Sequence, residues 1–280
     1  MSQTRTPDRQ PPATTGYLLD NGAPQASDRF AALAALFDPG TIRHLESCGV
    51  TSGWRCLEVG GGGGSIARWL ADRVGPGGRV VVTDLDTRHL EALADPRLDV
   101  QCHDIGSSPL PESAFDLIHA RLVINHLADR VTVLRRMAGA LAPSGWLLLE
   151  EFDSDSAPPD PLANPGETYL ETHQALARLM ADRRFDRRIG RQLFRMMREC
   201  GLAEVSAEAR TFMCPGGSPG TRLIQANLQQ LRGALLGGGY ITARQFDEDL
   251  TALDRPDFLM PSSSLWTARG RRDSTPSLNG

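Results

Sequence analysis

The sequence predicts an α/β fold in which helices cover both faces of a mostly parallel sheet, giving three layers. Between residues 54 and 152, short apolar runs rich in β-prone residues alternate with runs whose apolar residues recur at helical spacing. Such alternation is typical of parallel strands joined by crossover helices. The first apolar run ends in five consecutive glycines, which a helical run follows, in the sequence LEVGGGGGSIA over 57–67.

The elements can be placed in order from the apolar spacing and from the residues that interrupt it. An amphipathic helix is expected over 28–37 with Asp28 as its cap, and Pro39 and Gly40 should end it before a second helix that runs to about Cys48. The alternating segment then predicts strands at 54–59, 79–83, 98–102, 115–120 and 146–152, and helices at 65–74, 87–94 and 129–141. A proline-rich break over 153–168 precedes helices at 169–182, 190–200, near 220–236 and 242–253, and strands at 203–211 and 262–269.

Composition argues against several functional classes. The 280 residues include 34 acidic and 30 basic side chains, and a net charge of −4 is a poor match to a nucleic-acid partner. No apolar run approaches the length of a membrane span, and the first 16 residues lack the apolar core of a signal peptide. The five cysteines are scattered without a CxxC pair, which favours a reduced, cytoplasmic protein. We expect a monomer or a homodimer.

The five glycines could form a flexible linker or a ligand-binding loop. The flanking strand and helix favour a ligand loop, because a glycine turn at this junction lets a ligand approach N–H groups at a helix N-terminus. Two cofactor patterns fit the loop. Residues 62–67 match the dinucleotide pattern G-x-G-x-x-A, with Asp84 following at the expected distance. In the other pattern Glu58 precedes three alternate glycines, which suits a cationic cofactor.

Longer segments resemble a known family. LEVGGGGGSIARWLADRVGPGGRVVVTDLD is similar to the first two motifs of class I S-adenosylmethionine-dependent methyltransferases, and VQCHDIGSSPLPESAFDLIHARLVINHL is similar to the next two. MAGALAPSGWLLLEE resembles the family's following helix, turn and fifth strand. The resemblance is dense over 54–152 and looser towards both ends. It implies a Rossmann-like sheet of seven strands whose last strand, 262–269, is antiparallel and lies beside the strand near 203–211.

The resemblance also implies how the chain is divided. Residues 51–272 would form the methyltransferase domain, residues 17–50 a helical N-terminal cap, and the insertion 153–189 a lid over the acceptor site. Residues 1–16 and the tail 273–280 are expected to be disordered.

The same resemblance implies S-adenosylmethionine as cofactor and ten residues that bind it. The alternate glycines would pass close to its methionine part, and Glu58 would support its amino-acid end. Asp84 would accept hydrogen bonds from both ribose hydroxyls, with Asp86 as an alternative. Leu85 would pack on the adenine, and Asp104 would face the adenine amino group. The full implied set is Glu58, Gly60, Gly62, Gly64, Asp84, Leu85, Asp104, Ile105, Ala120 and Arg121.

Catalytic residues are harder to place, because methyl transfer from a sulfonium depends mainly on alignment and exclusion of water. His126 follows the fourth strand and is a candidate base or acceptor-positioning group, although packing at a helix start explains it slightly better. Glu151 ends the fifth strand and is a second candidate, with a solvated acid as the alternative. Tyr169 and His173 share a helix face and could line the acceptor pocket, but ordinary packing explains them better.

Two further hypotheses concern ligand contacts. A hard cation could be held by the acids that end the fifth strand, but no His or Asn completes a pattern and no metal is expected. These acids are Glu150, Glu151, Asp153 and Asp155. Tyr17 and Arg29 could contact the cofactor carboxylate from the N-terminal segment, and Arg29 is equally well explained as a solvated helix residue.

Three functions stay open. The first is an enzyme that moves a methyl group from S-adenosylmethionine to an oxygen, nitrogen or carbon of a small molecule, with bacterial secondary metabolism as the context that the resemblance implies. The second is a non-catalytic S-adenosylmethionine-binding subunit that regulates or scaffolds a partner, which the intact cofactor motifs disfavour. The third is a nicotinamide-dependent oxidoreductase, against which Glu58 and the Asp104 region argue.

Overall fold

Seven strands form a single sheet at the centre of the computed structural model, which describes residues 19–156, 160, 162–163 and 169–274. The strands are β1 Arg55–Val59, β2 Arg79–Asp84, β3 Leu98–Cys102, β4 Phe115–Arg121, β5 Leu141–Asp153, β6 Ala203–Arg210 and β9 Ser264–Arg271. Two short strands, β7 Met213–Pro215 and β8 Leu259–Pro261, pair separately and were not predicted. Disorder was predicted for residues 1–16 and 273–280, of which residues 1–16 and 275–280 lie outside the described residues.

The strand order is β3-β2-β1-β4-β5-β9-β6. Neighbours from β3 to β5 run parallel, whereas β9 pairs antiparallel with both β5 and β6. The predicted three-layer α/β fold with an antiparallel last strand is therefore confirmed. The direction in which successive strands are added to the sheet reverses between β1 and β4. Open parallel sheets bind ligands at the carboxyl ends of the strands beside such a reversal.

Eight α-helices are seen in the described residues. They are α1 Ala26–Ser47, α2 Ser65–Val74, α3 Arg88–Glu91, α4 Arg130–Ala140, α5 Tyr169–Asp182, α6 Ile189–Glu199, α7 Pro219–Gly237 and α8 Ala243–Ala252. A short 3-10 turn, Ile124–His126, follows β4. Helix α3 is shorter than the predicted 87–94, and it gives way to a left-handed residue at Ala94.

The two faces of the sheet bury separate apolar cores, because successive strand residues point to opposite sides. Leu57 and Ile118 pack on one face with residues of α4 and α6. Cys56 and Leu117 pack on the other face with α2 and the end of α1. The same parity places Glu58 on the face that α1 and α2 cover. A third core joins α5 to α7 and α8, which extend the molecule beyond the sheet.

Helix α1 corrects the predicted break at Pro39 and Gly40, because it runs unbroken from Ala26 and holds Pro39 inside. Residues Phe37, Thr41 and Leu45 repeat every four positions and are almost fully buried. Burial of this face outweighs the roughly 3 kcal/mol that proline costs a helix interior. Gly40 serves packing instead of chain reversal, since a Cβ there would collide with a neighbouring guanidinium.

Candidate functional site

One large cavity lies at the carboxyl ends of β1, β2 and β4. Its volume is about 790 Å³, within the range of roughly 300–1,000 Å³ that small-molecule sites occupy. Helix α1 covers it, and Phe30, Leu33 and Ala34 contribute to the lining. Eight of the ten predicted cofactor residues line this cavity, namely Glu58, Gly60, Gly62, Asp84, Leu85, Asp104, Ile105 and Arg121.

The two remaining residues of that set lie just behind the lining. Ala120 is 1% exposed and packs in the core on the α4 and α6 side. Gly64 is buried at the position before α2, where a Cβ would collide with Leu93. The structure therefore brings the predicted residues together around one space, while their roles in binding stay predictions.

The glycine loop has a conformational reason for its composition. Gly60, Gly62 and Gly64 have φ of +69°, +51° and +77°, which side-chain-bearing residues rarely adopt. Gly60 and Gly61 donate backbone hydrogen bonds of 2.7 and 3.0 Å to the carbonyl of Thr83. These bonds fix the loop against β2.

Packing explains why the loop carries glycine at every position, including Gly61 and Gly63 between the alternate glycines. A Cβ at Gly63 would lie 2.8 Å from Cβ of Phe30, and a Cβ at Gly62 would lie 2.9 Å from Cε1 of the same ring. At Gly61 a Cβ would collide with Val82. Phe30 of helix α1 and Val82 of strand β2 thus pack against the loop from two sides, which leaves no room for a side chain at these glycine positions.

Asp84 ends β2 and faces both the glycine loop and the cavity. Its Oδ2 accepts a 3.0 Å hydrogen bond from the Gly62 N–H. Burial raises the pKa of Asp84, and backbone hydrogen bonds partly offset that rise. The alternative residue, Asp86, forms a 2.9 Å ion pair with Arg88 and is not among the lining residues. Position therefore favours Asp84 for the ribose role.

A half-exposed apolar surface lies beside these acids. Leu85 is 49% exposed although it is a large apolar residue, and it lines the cavity next to Asp84. Asp104 and Ile105 line the same region from the end of β3. The Asp104 carboxylate accepts hydrogen bonds of 2.8 Å from the Gly106 N–H and the Ser107 hydroxyl. Apolar surface with a fixed carboxylate beside it suits a flat, polar-edged ring.

A buried polar chain starts at Glu58 and links residues of four strands, β1, β4, β5 and β6, with one residue of α1. The Glu58 Oε2 atom lies 2.6 Å from Nδ1 of His119, which is fully buried on β4. Nε2 of His119 lies 3.6 Å from Glu150 Oε2 on β5, an ion-pair distance. Glu150 also accepts hydrogen bonds of 2.6 Å from Thr41 of α1 and from Arg210 of β6. We call these five residues the Glu58–Arg210 chain.

Charge is balanced along the Glu58–Arg210 chain. Burial alone would lower the pKa of His119, but the carboxylates of Glu58 and Glu150 outweigh burial and raise the pKa to about 9. Burial works to raise the pKa of Glu150, yet the charges of His119, Arg121 and Arg210 hold the pKa at about 2. His119 therefore carries a proton where it lies between the carboxyl groups of Glu58 and Glu150. Sequence analysis missed His119, although a histidine inside the apolar run FDLIHA signals a buried polar role.

The two predicted catalytic residues lie in different places. His126 lines the cavity, and burial, with the charges of Arg29 and Arg130, lowers its pKa to about 4. Glu151 lies outside the lining and is 2% exposed, with Oε1 accepting a 3.2 Å hydrogen bond from the Asn125 N–H. Burial raises the pKa of Glu151 to about 7. Glu151 therefore supports the 3-10 turn that carries His126.

The insertion 153–189 reaches the cavity edge at its C-terminal end. Phe185 makes an edge contact with the His126 ring, with centroids 5.4 Å apart. Asn125 Nδ2 donates a 2.9 Å hydrogen bond to the carbonyl of Asp186. Tyr169 and His173 of α5 instead line a second, smaller cavity of about 90 Å³. Whether the insertion closes over an acceptor stays a prediction.

The structure also shows where the residues of the two hypotheses on ligand contacts lie. Arg29 lines the large cavity and is 8% exposed, so the solvated explanation for it is wrong. Tyr17 lies outside the described residues. The acids that end β5 separate, since Asp153 pairs with Arg191 and Asp155 with Arg187. Over the ranges that the structure describes, no group of three His, Cys, Asp or Glu side chains is placed to hold a metal, and no helix is long and apolar enough to span a membrane.

The residues of the large cavity fit S-adenosylmethionine. Carboxylates at Glu58, Asp84 and Asp104 can accept hydrogen bonds from an ammonium, from ribose hydroxyls and from an adenine amino group. The backbone of the glycine loop offers an approach without side chains. Leu85 offers an apolar surface to a ring.

Comparisons with known proteins agree with this fit. A family profile described as "Methyltransferase domain" matches residues 57–149. The ubiquinone/menaquinone biosynthesis C-methyltransferase UbiE of Ectopseudomonas mendocina is 30% identical over 203 residues, which cover 63% of this chain and 78% of that protein. The protein of the same name from Laribacter hongkongensis is 32% identical over 124 residues, covering 42% of this chain and 51% of that protein. The chain thus spans only about half the length of the latter relative.

A solved structure shares the fold at lower identity. The phosphoethanolamine N-methyltransferase 2 of Haemonchus contortus, in complex with phosphomonomethylethanolamine and S-adenosylhomocysteine, aligns with a TM-score of 0.57 at 17% identity. The alignment covers 92% of this chain and 60% of that chain. At this identity the likeness concerns the fold alone.

Proposed function

Because this chain belongs to the class I S-adenosylmethionine-dependent methyltransferases, we propose that it transfers a methyl group from S-adenosylmethionine to a small-molecule acceptor. The single observation that carries the proposal is the convergence of the glycine loop, Glu58, Asp84 and Asp104 on one cavity. Glu58 and the glycine loop come from the end of β1, Asp84 ends β2 and Asp104 follows β3. They meet beside the strand-order reversal, where open sheets bind ligands.

The residues of the cavity have separate parts in this proposal. Glu58, held by His119, would hold the ammonium of the cofactor. Asp84 would hold the ribose, Asp104 would face the adenine amino group, and Leu85 would cover the ring. When bound, the cofactor would supply an activated methyl group, whose bond to sulfur breaks, leaving the electron pair on sulfur, as an acceptor electron pair forms the new bond. The chain itself contributes alignment and exclusion of water.

The acceptor would enter between α1 and the turn after β4. His126 is neutral near pH 7, since its pKa is about 4, so its imidazole can accept a hydrogen bond or a proton from the acceptor. Glu151 would act through the turn that it supports, as a positioning residue. A base with so low a pKa suits an acceptor that is already ionised or that loses its proton easily.

The chemistry of the acceptor can be narrowed by comparison. Relatives that share 30% identity over much of this chain are named C-methyltransferases of ubiquinone and menaquinone biosynthesis. We therefore propose an activated carbon of an electron-rich ring as the first acceptor class to test, ahead of oxygen and nitrogen. A role in bacterial secondary metabolism is compatible with the same chemistry.

The setting of the activity is part of the proposal. A net charge of −4 disfavours a nucleic-acid substrate. All five cysteines are free, as expected for a reducing cytoplasm. We propose a cytoplasmic enzyme that acts as a monomer or homodimer.

Calorimetry with the purified full chain tests the proposal. S-adenosylmethionine and S-adenosylhomocysteine should bind, whereas NAD should not bind detectably. Incubation with methyl-labelled cofactor and a panel of small phenols, quinols and amines should then give labelled product. Binding without product from the panel or from a cell extract would favour the alternative, a regulatory or scaffold subunit that binds the cofactor. Failure to bind either cofactor form would refute the proposal itself.

A further inference from the structure

Leu122 has a backbone conformation that is unusual for its residue type. It follows β4 directly, and its φ is +60°. Left-handed backbone is strained for a bulky side chain, and such strain persists mainly where a functional site uses it. Six residues other than glycine have a positive φ in the part of the chain that the structure describes, and Leu122 is the one of them that lines the large cavity.

The left-handed turn decides which face of the sheet Leu122 covers. Ile118 and Ala120 of β4 pack on the α4 and α6 side, and a strand that continued would place Leu122 on the same side. The Leu122 N–H still donates a 2.8 Å hydrogen bond to the carbonyl of Glu150. The Leu122 side chain, however, packs against an apolar cluster that includes Phe37 of α1, on the opposite face. The strained turn therefore directs this leucine towards α1.

The same apolar cluster separates the two cavities. Leu33 and Leu122 line the large cavity, and four further members line the small cavity of about 90 Å³. No residue lines both cavities among those that the structure describes. The rings of Phe37 and Phe152 meet edge to face within the cluster, with centroids 5.5 Å apart. We call the six residues the dividing cluster, which comprises Leu33, Leu36, Phe37, Leu122, Phe152 and Leu223.

We propose that Leu122 is a specificity-determining residue that limits how far an acceptor extends from the methyl-transfer site towards α1. The inference rests on the proposed function, in which the acceptor enters between α1 and the turn after β4. An apolar substituent that points towards α1 would meet Leu33 and Leu122 and would stop at the dividing cluster. The acceptor class is therefore a ring with short substituents on that side, and not one with a long apolar chain there.

Shortening Leu122 should lengthen the substituent that the site accepts. Leu122→Ala removes the branched end of a half-buried side chain at the surface of the large cavity, which leaves room for about two further methylene groups. Each methylene that leaves water improves binding about fourfold. Two such groups correspond to a gain of about tenfold or more in affinity for the longer ligand relative to the shorter one.

Titration of para-alkylphenols by calorimetry tests this role. The ligands run from para-methylphenol to para-hexylphenol, and the full chain is saturated with S-adenosylhomocysteine so that the acceptor side alone is measured. For the wild type we expect affinity to rise with the first methylenes and then to stop rising. For Leu122→Ala we expect the rise to continue for about two further methylenes. The ratio of affinities within one variant is insensitive to a general loss of stability, which a merely structural role would produce.

Leu176→Ala is the matched control. Leu176 lies on α5 and lines the small cavity, but it does not belong to the dividing cluster. The substitution is the same and enlarges the small cavity, while the dividing cluster stays whole. The dependence of affinity on chain length should therefore equal that of the wild type.

Leu122→Gly separates the side chain from the backbone strain. Glycine removes the same side chain and tolerates a positive φ, so this variant should show the lengthened preference and an unfolding midpoint at least as high as that of Leu122→Ala. If Leu122→Ala does not fold, Leu122→Gly carries the comparison.

Four results would overturn the proposal. One is a wild type whose affinity rises through para-hexylphenol without a break, and another is a folded Leu122 variant that keeps the wild-type dependence on chain length. The third is a Leu176→Ala variant that gains as much for long chains as Leu122→Ala does. The fourth is a wild type that binds S-adenosylhomocysteine but no alkylphenol. If the wild type does not bind S-adenosylhomocysteine, the proposed function itself fails, and this inference falls with it.

Discussion

Replacing His119 by glutamine should lower the free energy of unfolding by an amount that depends on pH. The pKa of His119 rises from 6.5 to about 9 on folding, because Glu58 and Glu150 outweigh the effect of burial. A tenfold change in a proton-binding constant corresponds to about 1.4 kcal/mol, so this rise in pKa contributes about 3 kcal/mol to the unfolding free energy. The residue is fully buried, so little of this energy is lost to screening by solvent.

The sign follows from which state holds the proton. Folded protein keeps the His119 proton to higher pH than unfolded protein does, so the stabilisation is complete below pH 6.5 and is lost as the pH rises through about 9. His119→Gln removes the titrating group. The difference in unfolding free energy between wild type and variant should therefore be larger by about 3 kcal/mol near pH 6 than near pH 10.

Denaturant titrations of the full chain at several pH values measure this difference. His103→Gln is the control, because His103 lies at the cavity edge outside the Glu58–Arg210 chain. That variant measures how the loss of a histidine outside the Glu58–Arg210 chain changes the unfolding free energy at each pH. A difference for His119→Gln that is the same at every pH would mean that His119 is not protonated between the two carboxylates, and the reasoning would be refuted.

Two predictions concern residues that we propose to bind the cofactor. Asp84→Ala should weaken S-adenosylmethionine binding at least about tenfold, because it removes an acceptor for ribose hydroxyls. Asp86→Ala is the control and should change the affinity measured by calorimetry little. If both variants weaken binding equally, Asp84 is not the specific ribose acceptor. Gly62→Val should nearly abolish cofactor binding and also lower the unfolding free energy, since φ is positive and a Cβ would lie only 2.9 Å from Cε1 of Phe30. At Gly201, where φ is +82° and the space is open, valine should cost only backbone strain, about 1–3 kcal/mol; a Gly62 variant no worse would contradict the packing argument.

The parts of the fold that sequence predicted best are those set by local periodicity. Strands β1 to β4 lie within one residue of their predicted bounds because an apolar run marks each of them, and their ends placed Asp84 and Asp104 at one edge. Strand β5 begins at Leu141, before its predicted start at residue 146. The break at Pro39 failed because tertiary burial of Phe37 and Thr41 overrides a local preference. Short strands β7 and β8 escaped prediction because three residues carry too little pattern.

The polar interior was harder to foresee than the glycine loop. Glu58, His119 and Glu150 lie on different strands, and only the register between those strands shows that they share a face. For Arg29, the sequence left a ligand contact and a solvated position equally open, and its burial became evident only once α1 was placed over the cavity. Contacts between distant segments leave little trace in any short stretch of sequence.

The hydrogen bonds of Glu150 join segments of the chain that the ribosome synthesises far apart in time. Its partners Thr41 and Thr267 lie 109 and 117 residues away in opposite directions along the chain. A nascent chain released before β9 would hold a buried carboxylate with part of its hydrogen-bonding shell missing, beneath the same helix that covers the cavity. Assembly of the site must therefore wait until the last strand has left the ribosome and inserted between β5 and β6. Truncation near residue 260 should accordingly abolish ligand binding even though every residue lining the cavity would still be present.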